Sequence, residues 1–191
     1  CAASPDGGLT FGPAVPIDTN LHICLGLVGH GRVAPDGTAY VPAAHCQLGA
    51  GVMSTANNGI TWPTHIIPNS LPPANGFDPS LAVTPSGWLY AAFQGANNHQ
   101  KVALSKDGAA HWANPRDVTP PGVVSTTFSA MVAGDDARAA VAFIGTTTSG
   151  DPFAAGFGGS WDLYVATTYD SGTTWTVAKA TSSPMQRGWI C

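Results

Sequence analysis

An eight-residue pattern occurs four times along the chain, and it limits what the chain can fold into more than any other feature. The copies run from Ser4 to Phe11, Thr55 to Trp62, Ser105 to Trp112 and Thr168 to Trp175. Their common form is S/T-x-D/N-x-G-x-T-W/F, with Ala109 and His111 departing from it in the third copy. The closing aromatics stand at 11, 62, 112 and 175, so successive spacings are 51, 50 and 63 residues. A second pattern keeps the same period. Val33 to Val41 aligns with Val83 to Ala91 at an offset of 50, and Val132 to Val141 is a looser third copy.

Each copy of the second pattern reads as strand, tight polar turn, strand. A further β-prone run follows, such as 101–105 or 161–168, then the eight-residue motif and a last short run such as 176–180. The repeating unit is therefore four antiparallel strands, A to D. Four-stranded units recurring at about 50 residues predict an all-β fold, a β-propeller.

The motif residues suit a tight turn between strands C and D. A short Asp or Asn side chain accepts hydrogen bonds from the backbone N–H groups of its own turn. Glycine supplies a positive φ at no steric cost. The aromatic is expected to bury its ring under the turn. These are structural roles for Asp6, Phe11, Asn57, Trp62, Asp107, Trp112, Asp170 and Trp175. The motif resembles the Asp box, or BNR repeat, of bacterial secreted sialidase-like propellers. The stretches from Asp6 to Pro16 and from Gly29 to Pro42 resemble the same proteins. The resemblance implies a six-bladed propeller whose Asp boxes lie in the C–D turns, opposite the active-site face.

Counted against that fold, residues 1–16 are the end of a strand C and its strand D. Three full units follow at about 29–68, 79–118 and 128–180, and 181–191 reads as a linker. About three and a half blades are present, which predicts a segment of a larger propeller completed by missing blades of a parent chain or by other subunits. A four-bladed ring clasped by Cys1 and Cys191 is the alternative.

Composition excludes several other classes. Only 9% of residues are charged, against roughly 25% in ordinary soluble domains. The seven Lys and Arg are scattered through a chain of net charge −4, so no basic stripe for nucleic acid is present. A hydrophobic content of 44% argues against disorder. No apolar run reaches the ~18 residues of a spanning helix. Four cysteines without a CxxC pair argue against a zinc site and suit an oxidising, secreted or cell-surface setting. An N-terminal Cys1 also leaves a lipoprotein anchor as a minor alternative. Four cysteines allow three pairings. On the propeller map Cys24 lies in a D-to-A linker and Cys46 at the neighbouring B–C loop, which favours a Cys24–Cys46 bridge. Such a loop is worth about 3 kcal/mol in the chain-entropy model.

The resemblance places function on the face shared by the D-to-A linkers and B–C loops. Candidate binding residues there are His30, Arg32, Asp78, Ser80, Gln94, His99 and Ser129, with Asn97 and Asn98 beside them. The extra 13 residues (63 − 50) before the fourth motif fall mostly within 145–160 and carry Asp151, Phe153 and Phe157. They read as a binding loop or as a plain surface insertion. His22, His65 and His111 have no metal-ligand spacing, and neither a metal nor another cofactor is expected. Sialidases use an arginine triad for the substrate carboxylate, a Tyr–Glu nucleophile pair and an Asp acid/base. All eleven acidic residues here are aspartate, and the arginines are Arg32, Arg116, Arg138 and Arg187. A complete site of that kind is not encoded in these residues, and no catalytic residue is assigned. The expectation is a glycan- or protein-binding or scaffold role, with a part of an exo-sialidase or related glycoside hydrolase as the alternative.

Overall fold

The computed structural model describes residues 1–17, 24–47, 49–73 and 78–190. The expectations for His22 and Cys191 lie outside the described residues. Three antiparallel sheets follow one another along the chain. The first comprises β1 (Cys24–Val28), β2 (Arg32–Val33), β3 (Ala39–Cys46), β4 (Gly49–Thr55) and β5 (Thr64–Ile66). Both β1 and β2 pair with β3, so they are two pieces of one strand A. The second contains β6 (Ser80–Val83), β7 (Leu89–Gln94), β8 (Gln100–Ser105) and β9 (Arg116–Asp117). The third contains β10 (Ser125–Ala133), β11 (Ala139–Thr146), β12 (Ser160–Thr168) and β13 (Thr176–Lys179), with β14 (Gln186–Arg187) also paired to β12. Each sheet has the expected A-B-C-D order.

The A–B turns form where the repeat predicts them. Thr84 N–H donates to Trp88 O and Gly87 N–H to Thr84 O, both at 2.9 Å, and Gly87 has φ +89°. The first sheet repeats this with Ala34, Thr38 and Gly37, whose φ is also +89°. The strict strand-turn-strand spacing thus follows from one residue that must adopt a left-handed backbone.

The cores lie between sheets. Every residue of β7 is buried. Leu89, Ala91 and Phe93 join Tyr40, Val52, Ile67 and Leu81 on the side of the first sheet. Tyr90 and Ala92 join Met131, Val141, Phe143 and Tyr164 on the side of the third. The strand alternation of period two therefore feeds two separate cores. Burying each large apolar side chain contributes about 1.5–3 kcal/mol. The middle sheet is covered on both faces, as a blade between two blades must be.

The eight-residue motif builds one turn four times. In the fourth copy Asp170 Oδ1 accepts Thr174 N–H at 2.9 Å, and Thr174 Oγ1–H donates to Asp170 Oδ2 at 2.6 Å. Thr168 Oγ1 accepts Gly172 N–H at 2.9 Å and donates to Asp170 Oδ1 at 2.9 Å. The first copy repeats this through Ser4, Asp6, Gly8 and Thr10. In the third copy His111 Nδ1 lies 2.7 Å from Asp107 Oδ2, in the place of the threonine hydroxyl. In the second copy Asn57 Nδ2–H donates to Thr61 Oγ1 at 2.9 Å, reversing the polarity of that bond. The two residues before the turn closes are left-handed in every copy: Gly7 and Gly8, Asn58 and Gly59, Gly108 and Ala109, Ser171 and Gly172.

The structure departs from the sequence reading at four places. Strand A starts at Cys24 in the first sheet and Ser125 in the third, earlier than the expected starts at about 29 and 128. Residues 1–17 carry no assigned strand, although Gly12 N–H bonds Ala3 O and Cys1 and Val15 exchange backbone bonds of 2.7 and 2.6 Å, a short hairpin ladder. Phe11 does not bury its ring: it is 65% exposed, against 7% for Trp62. Among the described residues, no sheet strand pairs with its hairpin. Finally, residues 181–190 are packed against the third sheet and are more than a linker. Gln186 and Arg187 pair with Trp161 and Ser160, and Ile190 is buried beside Phe157 and Trp161.

Candidate functional site

Strand polarity defines two ends of the molecule. Thr168 is paired with Ala139, so the motif turns and the A–B turns share one end. The B–C loops lie at the other, where Gly145 pairs with Asp162 and Gln94 with Gln100.

A cleft of about 300 Å³ opens at that second end, between the B–C loops of the second and third sheets. It is lined by Gln94, Ala96 and Asn98 on one side, Asp151, Pro152 and Phe153 on the other, with Pro73 and Gly150 completing it. Gln94 is fixed by its amide: Nε2–H donates to Thr126 O at 2.7 Å. Its Oε1 is buried and has no hydrogen-bond partner. The Asn98 backbone carbonyl accepts both the N–H and the Oγ1–H of Thr126, at 2.9 and 3.0 Å. These bonds tie the short 95–99 loop to β10. Asn98 itself sits at φ +61°, a conformation asparagine tolerates better than most residues.

The opposite wall is the insertion before the fourth motif. It is neither floppy nor merely peripheral. Phe157, Trp161, Ile144 and Ile190 form their own small core, with Phe153 and Leu163 packed against it. Trp161 Nε1–H donates to Gly188 O at 2.9 Å, and Ile190 N–H to Pro152 O at 2.8 Å. Asp151 Oδ1 accepts Phe153 N–H at 2.9 Å, which sets the loop tip.

The other sequence candidates are dispersed. Ser80 is buried, and its Oγ accepts Met131 N–H at 2.8 Å, joining strands A of adjacent sheets. His99 Nδ1 lies 2.8 Å from Asp117 Oδ2, which also accepts Lys101 Nζ–H at 2.8 Å. Burial pushes the Asp117 carboxyl up, but the hydrogen bonds from Lys101, Thr119 and His99 outweigh it and hold its pKa at about 2. Arg32 is opposite Tyr40, next to the A–B turn, and so at the end away from the cleft. His30 is exposed in the break between β1 and β2, and Asp78 is exposed just before β6. Ser129 sits in the β10 bulge. Because strand A begins earlier than the period suggests, His30 and Ser129 fall within that strand and not at its start. Beside Ser129, Phe128 is 52% exposed at φ +53°. Sequence reasoning missed it, although an aromatic in a Thr/Ser-rich strand was the available signal. Of the seven residues, only Gln94 lines the cleft.

No group of three or more metal-ligating side chains is present among the described residues. Among the described residues no helix is long and apolar enough to cross a membrane.

The chain matches no family model and no curated protein sequence. Solved structures do match it. A Dyadobacter fermentans protein of unknown function superposes over 95% of this chain and 51% of its own, at 14% identity and a TM-score of 0.57. A leech intramolecular trans-sialidase matches over 83% of this chain and 24% of its own, at 16% identity and a TM-score of 0.54. A Hadza microbial sialidase matches over 96% and 37%, at 18% identity and 0.53. The fold is that of a sialidase-type propeller. The chain spans about half of the first structure and a smaller part of the others. Such identities establish shared architecture and leave the chemistry to the site.

Proposed function

We propose that the chain is an Asp-box repeat segment of a secreted sialidase-like propeller and that its role is to bind glycans at the B–C loop end. The observation that carries this reading is the cleft between the 95–99 loop and the insertion. It combines an amide, a carboxylate and an aromatic ring on a rigid base. A few polar groups set in an otherwise apolar wall are what small-ligand sites share. The Cys24–Cys46 disulfide and the fold suit an oxidising, extracytoplasmic compartment.

A second reading is that the parent protein is a glycoside hydrolase. It is favoured by the sialidase-like fold, and it requires catalytic groups from outside this segment. The four arginines stand on different elements, and Arg138 is engaged by Asp135 at 2.7 Å. Glycan retention without turnover of a fluorogenic sialoside by the full-length protein supports the binding reading. Turnover that disappears on substituting residues of the B–C loop end replaces it with the hydrolase reading.

A further inference from the structure

We infer that a second groove, between β8–β9 of the second sheet and the fourth motif turn, takes an anionic sugar residue, a uronate or a sulfated one. The groove shares no residue with the B–C loop cleft, so this inference stands apart from the reading above.

The groove has a volume of about 450 Å³, within the range of small-ligand sites. One wall carries Leu104, Lys106 and Arg116, the other Ser171, Thr173 and Trp175. Arg116 is the register partner of Val102, so the two share a face of the sheet. Val102 belongs to the core between the second and third sheets, and the register therefore turns Arg116 towards the third.

Charge sets the ligand class. Lys106 and Arg116 line the groove, and no Asp or Glu does. Neither cation takes part in an ion pair among the described residues. Lys106 Nζ lies 4.3 Å from the centre of the Trp88 ring, which places the ammonium without neutralising it. The neighbouring carboxylates are already engaged, Asp107 by His111 and Asp117 by Lys101 and His99. The chain has a net charge of −4, so attraction of an anion is local to this groove and not a property of the whole surface. A guanidinium fork matches an oxyanion at two oxygens. Asn114 spends Oδ1 on Asn69 and keeps its amide hydrogens for ligand oxygens.

The repeat shows that the fold does not require these cations. Val52 and Val165 occupy the place of Val102, and their register partners are His65 and Ala178 where Val102 has Arg116. The place of Lys106, second in the motif, is taken by Pro5, Ala56 and Tyr169 in the other copies.

The apolar wall favours a sugar over an acidic peptide. Trp175 is half-buried, and its Nε1–H donates to Gly172 O at 3.2 Å, which fixes the ring beside Leu104 as a surface for the C–H face of a sugar. A peptide adding to the sheet would need a ladder of free backbone groups. Strand β9 is two residues long, and Pro115 before it has no N–H to give.

The test is a titration of the full chain, followed by amide chemical shifts, with a sulfated disaccharide, a diuronate, the matching neutral disaccharide and a short poly-glutamate peptide. Circular dichroism checks the fold of each variant. The expected result is that one or both anionic sugars shift the amides of 102–106, 113–116 and 171–175, and the two arms identify carboxylate or sulfate as the anchor. Arg116→Gln and Lys106→Gln should each weaken binding about tenfold, and Arg116→Lys should weaken it as well, because lysine lacks the planar fork. Lys179→Gln removes a positive charge elsewhere and should leave the affinity unchanged. Equal binding of the neutral disaccharide, tighter binding of the peptide, or an equal loss with Lys179→Gln overturns the inference. So does the absence of shifts at this groove, and shifts confined to 94–98 and 150–153 then leave the B–C loop reading standing alone.

Discussion

Tyr90 of the second sheet donates its phenolic hydrogen bond to the backbone carbonyl of Asp136, in the A–B turn of the third, at 2.7 Å. Thr84 Oγ1–H adds a bond of 2.6 Å to Asp136 Oδ1, and Ser86 bonds the same carboxylate oxygen. The two A–B turns are thereby locked together at the end away from the cleft. Tyr90 sits in the core between these sheets with no exposed surface. Burial raises its pKa to about 12, helped by the negative charges of Asp136, Asp135 and Asp170.

Tyr90→Phe keeps the ring and deletes this bond. Stability should fall by about 1 kcal/mol at neutral pH, read as a lower urea midpoint. The pH dependence is more diagnostic. Folding raises the phenol pKa, so its contribution is complete below pH 10, the unfolded value, and fades as pH rises towards about 12. The variant should lose that alkaline limb. An unchanged alkaline profile would show that Tyr90 is not the group responsible.

The motif turns give the opposite sign. Asp6 is held at a pKa of about 2, first by the Thr10 hydroxyl and then by Thr10 N–H and Ser4. Asp170 is lowered for the same reasons by Thr174 and Thr168. Folding lowers these pKa values, so the turns contribute fully above pH 4 and weaken as pH falls towards 2. Asn57 occupies the same position without titrating. Asn57→Asp should therefore stay within about 0.5 kcal/mol of the parent at pH 7 and steepen the loss of stability between pH 4 and 2. Urea midpoints at pH 7 and pH 3 measure this directly. Parallel pH profiles would contradict the shared turn chemistry.

Gly172 isolates the backbone component of the same turn. Its φ is +74°, and the nearest atoms a Cβ there would meet are Trp175 and Tyr90 ring atoms at 3.7–3.8 Å, an ordinary contact. Gly172→Ala should then cost about 1–2 kcal/mol from the left-handed conformation alone. The third motif already tolerates Ala109 at φ +73°, with glycine moved one place earlier to Gly108. A change below a few tenths of a kcal/mol in urea denaturation would show that the turn carries no strain.

The repeat made the sheets legible because its signals are local. Positive-φ glycines, the Asp and Thr pair and the alternation along β7 are all read within a few residues. The site was less legible because it depends on contacts across long separations. Ser80 looked like a candidate binding residue until its bond to Met131 placed it between two strands A. His99 looked free until Asp117, on another strand, took its ring nitrogen. Gln94 was identifiable as a polar residue at a loop, but its unpartnered Oε1 follows only from the Thr126 carbonyl it meets. The insertion was visible as 13 extra residues, yet its rigidity comes from Ile190, which no local pattern connects to Phe157.

The Cys24–Cys46 bridge shows how far a topological argument reaches. It was expected from two loops on one face, and the cysteines are direct register partners on β1 and β3. Around it the packing is tight: a Cβ on Gly51 would lie 2.7 Å from Cys46 Sγ. The remaining pairs between these strands are Leu25 with His45 and Val28 with Ala43, separated by a bulge. Replacing both cysteines by alanine should cost about 3 kcal/mol for a 22-residue separation. The loss should appear first as faster amide exchange in 24–28, while β4 and β7, buried throughout, remain protected. Cys1, exposed and free, should react with an alkylating reagent in the native protein. Cys46, 4% exposed, should react only after reduction and unfolding. Alkylation of Cys46 without reductant would show the bridge to be absent.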